Sequence, residues 1–347
     1  MRDIFANAAR WSAENDSIAV ATVIQTWGSS PRQVGAKMAV TASEQVCGSV
    51  SGGCVETAVI ETAYRVIKTG VPELLHFGVT QDEAWEVGLA CGGSLEVFVN
   101  RFDPAKLEQV RSAVNSERAI VIATVIQGVP ELIGREMIIG ADGSITGTLG
   151  SEIDVWVIEA AQTAFADGQP RRVTPSGDPL PEIFLDVIAP APEIVIVGGV
   201  HIGVALAQLA KVLGYRTTLI DPRTTFGSEE RFPDVDRLIN AFPTQALNAI
   251  TLSPLSAVVV LSHDPKLDDP ALRIALPSCA FYVGAIGSKS TQSQRRERML
   301  AGGMTETDLA KLHGPIGLDL GGRTPPEIAL AIMSEIVAVR NRCNPRV

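Results

Sequence analysis

Two cysteines of this 347-residue chain sit among glycines, in Ser51-Gly52-Gly53-Cys54-Val55-Glu56 and in Leu89-Ala90-Cys91-Gly92-Gly93-Ser94. Glycine neighbours let a backbone or a ligand approach closely, so both sulfurs have a route to a partner. A helical pattern opens at Val55, and the unpaired amides and positive dipole end of a helix start favour thiolate over thiol at Cys54. A thiolate so placed is a nucleophile and a ligand for a soft metal or sulfur centre. Cys91 precedes an extended run at 95–99, and its glycines leave room for a ligand. The plain alternative for either residue is a small buried hydrophobe, the commoner use of a lone cysteine. Cys47, Cys279 and Cys343 have no comparable surroundings.

The second half of the chain carries two candidate phosphate loops. In Gly198-Gly199-Val200-His201-Ile202-Gly203, a β-branched run precedes the turn and a helical run at 204–213 follows it. Gly198 can make the tight turn of a Rossmann loop, Gly203 can let helix and strand approach, and amides at the helix start attract phosphate. Val200 stands where glycine normally lets a pyrophosphate come close, which counts against ordinary NAD or NADP binding. Asp221, ending the next strand, is placed for a ribose hydroxyl, and equally reads as the turn residue of Asp221-Pro222-Arg223. In Gly284-Ala285-Ile286-Gly287-Ser288-Lys289 the amides of Gly287 and Ser288 and the Lys289 ammonium would converge on an anion. Arg295, Arg296 and Arg298 beyond it read as a solvated basic face paired with Glu297. His201 and His263 fall at the carboxyl edge of the strands, where open α/β sheets bind ligands, or are loop histidines without a role. No two cysteines or histidines have the short spacing of structural zinc, and no serine-histidine-carboxylate signature is present.

The elements that must position these residues fall into two blocks. Proline and glycine thicken between 167 and 192, where a domain boundary belongs; Ile183-Phe184-Leu185-Asp186-Val187-Ile188 reads as the last strand of the first domain. The expected organisation is an α+β domain at 1–188, a linker at 189–192 and a domain at 193–347. The first domain contains an internal repeat. Ala21-Thr22-Val23-Ile24-Gln25 returns as Ala123-Thr124-Val125-Ile126-Gln127, Gly35-Ala36-Lys37-Met38 as Gly134-Arg135-Glu136-Met137, and Cys47-Gly48-Ser49-Val50 as Thr146-Gly147-Thr148-Leu149. Each copy continues into a helical pattern, at 55–69 and 152–166, expected to cover a β-sheet. In the second domain short β-branched runs at 194–197, 217–220, 237–239, 257–261 and 281–285 alternate with helical patterns, the signature of a parallel, Rossmann-like sheet. Thr324-Pro325-Pro326-Glu327 opens a last helix whose Ile328, Leu330, Ile332, Ile336 and Val337 should pack on that sheet.

Composition narrows the classes. A formal charge of -10 provides no field for nonspecific nucleic acid or anionic membrane binding. The start, Met1-Arg2-Asp3-Ile4-Phe5-Ala6-Asn7, lacks the apolar core of a signal peptide, and no apolar run is long enough to span a bilayer. Five cysteines scattered over such a length suit a reducing cytoplasm rather than a disulfide framework.

Taken together, these segments resemble the XdhC/CoxI family. The similarity is carried by Gly28-Ser29-Ser30-Pro31-Arg32, Gly48-Ser49-Val50-Ser51-Gly52-Gly53-Cys54-Val55-Glu56 and Cys91-Gly92-Gly93. It continues in Ser262-His263-Asp264-Pro265-Lys266-Leu267-Asp268-Asp269-Pro270, Gly284-Ala285-Ile286-Gly287-Ser288 and Gly317-Leu318-Asp319-Leu320-Gly321-Gly322-Arg323-Thr324-Pro325. The resemblance implies an N-terminal XdhC/CoxI domain joined to a Rossmann domain. XdhC-like members bind the molybdenum cofactor and protect it while a cysteine desulfurase supplies the terminal sulfur. They then help insert it into a molybdenum hydroxylase. Cys54 matches the family's cysteine and is thereby implied in cofactor handling. XdhC-like members have glycine where this chain has Val200, whereas some CoxI-like members carry valine.

Three functions follow as expectations. The first is a maturation chaperone, not a metabolic enzyme: the second domain would hold the pterin phosphate, Cys54, alone or with Cys91, would face the metal, and the client would be the large subunit of a molybdenum hydroxylase. The default oligomer is a homodimer. The second is an NAD(P)-dependent oxidoreductase built on the Rossmann-like turn and Asp221. The third is a redox-sensing adaptor in which Cys54 and Cys91 form a switchable disulfide.

Overall fold

A computed structural model describes residues 2–14, 16–28, 32–78, 93–116, 118–175 and 181–341. The chain divides into two compact units, Met1–Pro190 and Ala191–Val347. Among the described residues no helix is long and apolar enough to cross a membrane.

The first unit holds strands β1 (Ile18–Trp27), β2 (Lys37–Thr41), β3 (Val46–Gly48), β4 (Glu73–Phe77) and β5 (Ser94–Arg101). Their counterparts are β6 (Ile120–Gln127), β7 (Glu136–Gly140), β8 (Ile145–Thr146), β9 (Arg171–Val173) and β10 (Glu182–Ile188). Its helices are α1 (Arg2–Ala13), α2 (Glu56–Thr69), α3 (Pro104–Asn115) and α4 (Ser151–Asp167). The repeat builds two antiparallel sheets rather than one, in the equivalent orders β3-β2-β1-β5-β4 and β8-β7-β6-β10-β9. The copies agree in detail. Thr22 stands opposite Lys37 as Thr124 does opposite Glu136, and each central strand bulges at the same isoleucine, Ile24 or Ile126.

Alternation along the central strands explains the layering. Ala19, Ala21 and Val23 turn to one face, where α2 packs Val59, Ala63 and Val66 over them. Val121, Ala123 and Val125 meet Val157, Ala161 and Ala164 of α4 in the same way. Both helices stop at a left-handed glycine, Gly70 and Gly168, whose amide returns to the last turn. The opposite faces of the sheets meet each other through Ile24, Phe98, Ile126 and Phe184. Each such buried aliphatic or aromatic side chain contributes about 1.5–3 kcal/mol. Between the sheets lies a cavity of about 60 Å³ whose apolar walls are interrupted by polar side chains. There Lys37 Nζ meets Asp186 Oδ2 at 3.0 Å and Thr22 Oγ1 at 2.8 Å, so its buried charge is paired.

The second unit is a parallel sheet of β11 (Glu193–Val197), β12 (Arg216–Ile220), β13 (Arg237–Ile239), β14 (Ser256–Val260), β15 (Tyr282–Ala285) and β16 (Leu312–His313), in the order β13-β12-β11-β14-β15-β16. The order reverses between β11 and β14, the switch point at which such sheets bind ligands. Helices α5 (His201–Val212), α6 (Pro243–Asn248), α7 (Pro265–Ala275), α8 (Lys289–Ala301), α9 (Glu306–Leu309) and α10 (Pro325–Arg340) complete the unit. One face buries α5 and α10 through Leu206, Ala207, Ile332, Met333 and Ile336, and the other buries α7 and α8 through Ala271, Leu272, Ala275 and Met299. Leu330, expected on the sheet, is exposed; Ala329 and Met333 take the inward positions on α10.

Candidate functional site

Cys54 lies on the loop between β3 and α2. The helix begins at Glu56 with Val55 as its N-cap, so the cysteine stands before the helix and not on its first turn. Its thiol is free and half-buried, and it packs against the apolar cluster that α2 forms with β1 and β5. Gly53 has φ +124°, and a side chain there would meet nothing within 4 Å. Its glycine is therefore required by backbone conformation, not by space.

Three successive amides that precede Cys54 share one acceptor. They face Glu56. Its carboxylate accepts from the amides of Ser51 at 2.9 Å, Gly52 at 2.9 Å and Gly53 at 2.8 Å, and from Ser49 Oγ at 2.7 Å. The Ser51 hydroxyl also donates to it. Burial alone would raise the Glu56 pKa, but the Ser51 and Ser49 hydroxyls and the loop amides outweigh it and bring the group down to about 2. Gly52 N also donates to Ser49 Oγ, and Arg32 Nε to the Ser49 carbonyl at 3.1 Å, tying the β1–β2 connection to the same loop. Ser49, Glu56 and Arg32 belong to recognised motifs, yet only the fold shows that they act on one loop. A serine five positions before a helix-opening glutamate was the available signal for Glu56.

The second copy serves as an internal reference. Val50 and Leu149 are equivalent buried residues, as are Val59 and Val157, and the first copy carries one residue more between them. Asp154 occupies the Glu56 place, accepting from Thr148 Oγ1 at 2.5 Å and Leu149 N at 2.7 Å. There α4 starts at Ser151, directly after Leu149-Gly150, whereas α2 starts only at Glu56. The first copy thus has an open Gly52-Gly53-Cys54 loop where the second has a wound helical turn. Cys91, and with it any pairing to Cys54, lies outside the described residues.

At the carboxyl edge of the parallel sheet two glycines stand where backbone approaches closely. Gly198 has φ +109°, and a Cβ there would lie 2.7 Å from Ser262 N; one on Gly199 would lie 2.4 Å from the Phe226 carbonyl oxygen. Val200, the N-cap of α5, is partly buried and packs against the core. His201 is the exposed first residue of α5. A Cβ on Gly203 would reach only ordinary contact, 3.4 Å from the Phe232 ring, so the helix and strand approach less tightly than expected.

Asp221 is fully buried and its carboxylate is occupied. Oδ2 accepts from Gly199 N and Arg223 Nη2, both at 2.7 Å; Oδ1 accepts from Arg223 N and Nε, both at 2.9 Å. Burial pushes its pKa up, but the Arg223 side chain and the Gly199 amide hold it below the ordinary value. Of the two sequence expectations, the turn residue is the one this geometry supports.

Gly287 has φ +136°, Ser288 caps α8 by accepting from Thr291 N at 3.2 Å, and Lys289 is exposed at the helix start. The arginines beyond them do not form a solvated face paired with Glu297. Arg295 is buried against Asp268 at 3.0 Å and donates to Gln292 Oε1 and the Ile286 carbonyl; Arg298 pairs with Asp269 and Arg296 with Glu306. His263 is exposed with φ 60°. Among the described residues no group of three or more histidine, cysteine or acidic side chains gathers as a metal site.

A duplicated antiparallel module followed by a Rossmann-like parallel sheet defines a two-part α/β protein whose distinguishing loop carries a free cysteine. The chain matches the XdhC Rossmann domain over residues 194–336 and the XdhC and CoxI family over residues 11–78 and 113–175. It belongs to the XdhC and CoxI family. It is 26% identical to a probable xanthine dehydrogenase subunit of Bacillus subtilis over 95% of both chains. It is 22% identical to the molybdenum cofactor insertion chaperone PaoD of Escherichia coli, over 92% of this chain and 82% of that one. A solved structure described as a xanthine dehydrogenase from Bacillus halodurans shares the fold with a TM-score of 0.80 at 21% identity, over 98% of this chain and 96% of that one.

Proposed function

We propose that this protein is an accessory chaperone that takes the molybdenum cofactor as cargo, alone or as a dinucleotide, and passes it to the large subunit of a molybdenum hydroxylase of xanthine dehydrogenase or CO dehydrogenase type. The observation that carries this reading is the free thiol of Cys54 on a loop left unwound in one copy of a duplicated scaffold and wound in the other. Family membership and the likeness to a molybdenum cofactor insertion chaperone support it. Sulfur donors such as the Cys54 thiol suit a molybdenum-sulfur centre. In this reading a cysteine desulfurase supplies the terminal sulfur while the cofactor is held, and the chaperone works in the cytoplasm as a homodimer. Lys289, at the start of α8, is the residue of the second unit best suited to a phosphate group.

An NAD(P)-dependent oxidoreductase is the weaker alternative, because the acid that would take the ribose hydroxyl is already engaged by Gly199 and Arg223. Purification from a host that makes the molybdenum cofactor separates the two. The chaperone retains molybdenum together with a pterin detectable by fluorescence after oxidation; the oxidoreductase retains neither and binds a dinucleotide saturably.

A further inference from the structure

We infer that Glu56 is the positioning residue for Cys54: its carboxylate gathers the Ser51, Gly52 and Gly53 amides and the Ser49 and Ser51 hydroxyls into one knot, and that knot fixes where the sulfur stands. The inference rests on the proposed role of Cys54 in cofactor handling, and adds the residue that makes the loop usable.

An unwound turn bearing two glycines would by itself sample many conformations, since glycine restricts the backbone least. Here three consecutive amides point inward at one acceptor, and an ionised acceptor makes such bonds about twice as strong as a neutral one. Val55 N donates to Ser51 Oγ at 3.0 Å, so both ends of the Cys54 segment are tied to groups that Glu56 holds. The second copy shows that this exceeds ordinary helix capping. Asp154 receives one hydroxyl and one amide, which suffices where the helix is wound and no cysteine must be presented. Four of the five donors at Glu56, the Ser51 amide and hydroxyl and the Gly52 and Gly53 amides, come from the stretch that is unwound in the first copy and wound in the second.

The consequence is read at the sulfur. In Glu56→Gln the side chain brings a single neutral oxygen acceptor and an amide group that cannot accept, so the knot cannot re-form. The loop then lifts from the cluster formed with Val55 and Val59, and a negative charge two residues from the thiol disappears. Both changes speed attack by the cysteine on an alkylating agent.

The test is the alkylation rate of Cys54 in the full-length protein by iodoacetamide, followed by peptide mass mapping, beside the molybdenum content of the same preparations. Glu56→Gln should alkylate roughly tenfold faster than the parent, and its molybdenum content should fall to that of Cys54→Ser. Asp154→Asn, which removes the equivalent clamp in the copy whose loop carries no cysteine, should change neither. Ser49→Ala, a milder cut in the same knot, should give an intermediate rate and covers the case in which Glu56→Gln does not fold. Equal rates for Glu56→Gln, Ser49→Ala and Asp154→Asn would overturn the inference. Should Cys54→Ser retain as much molybdenum as the parent, the cofactor role fails, while the alkylation rates still decide whether Glu56 positions the cysteine.

Discussion

The amide of Gly199 and the carboxylate of Asp221 meet at 2.7 Å across the first turn of the parallel sheet, so the loop that resembles a dinucleotide cradle is closed by an acid of its own chain. The same carboxylate holds the Arg223 guanidinium through both of its oxygens.

Asp221→Ala should therefore behave as a folding variant. Removing a buried acceptor strands the Gly199 amide and frees Arg223, which is part-exposed and can be solvated; the expected cost is about 2–3 kcal/mol. Urea unfolding of the full chain checks it. A loss confined to dinucleotide affinity, at unchanged stability, would restore the oxidoreductase alternative.

The two glycines of that turn should respond oppositely to alanine. Gly198→Ala forces a side chain onto the Ser262 backbone at φ +109°, with an expected loss of about 2–4 kcal/mol. Gly203→Ala places its methyl at contact distance inside a helix, and should stay within about 1 kcal/mol of the parent. Thermal unfolding of the pair gives the comparison.

Arg295→Ala should be among the more damaging changes in the second unit. It leaves the Asp268 carboxylate buried with only Ser262 as partner, a loss of about 3–5 kcal/mol. A surface arginine such as Arg296, paired with exposed Glu306, should lose less than about 1 kcal/mol on the same change.

The Glu56 knot predicts a pH dependence of definite sign. The folded pKa, about 2, lies below the ordinary value of 4.5, so the contribution is fully present above about 4.5 and is lost as pH falls toward about 2. The difference in melting temperature between the parent and Glu56→Gln should be constant near neutrality and vanish on acidification. A difference that grows as pH falls would contradict the assignment.

Local patterns carried much of this fold, and pairing across long distances carried the rest. The duplicated Ala-Thr-Val-Ile-Gln strands and the alternating β-branched runs are readable because burial and periodicity act over a few residues. That the copies close into separate sheets depends on β1 pairing with β5 and β6 with β10, which no local spacing encodes. The same limit governs the sites. Cys54 stands out by its glycines alone, and the bonds of Asp221 to Arg223 belong to the turn already open as a reading, whereas its bond to Gly199 and the pairing of Arg295 with Asp268 join segments far apart in sequence. Glu56 lies between these cases, close enough in sequence to be seen as part of the motif but given its role only by five donors converging on it.

The most direct measurement is the molybdenum-to-chain ratio of the purified protein and of Cys54→Ser, prepared side by side from a host that makes the cofactor and assayed with the client hydroxylase. A sulfur that meets the cargo requires the variant to lose bound molybdenum and hydroxylase activation together. Equal metal content and equal activation in the two proteins would show that the cysteine takes no part.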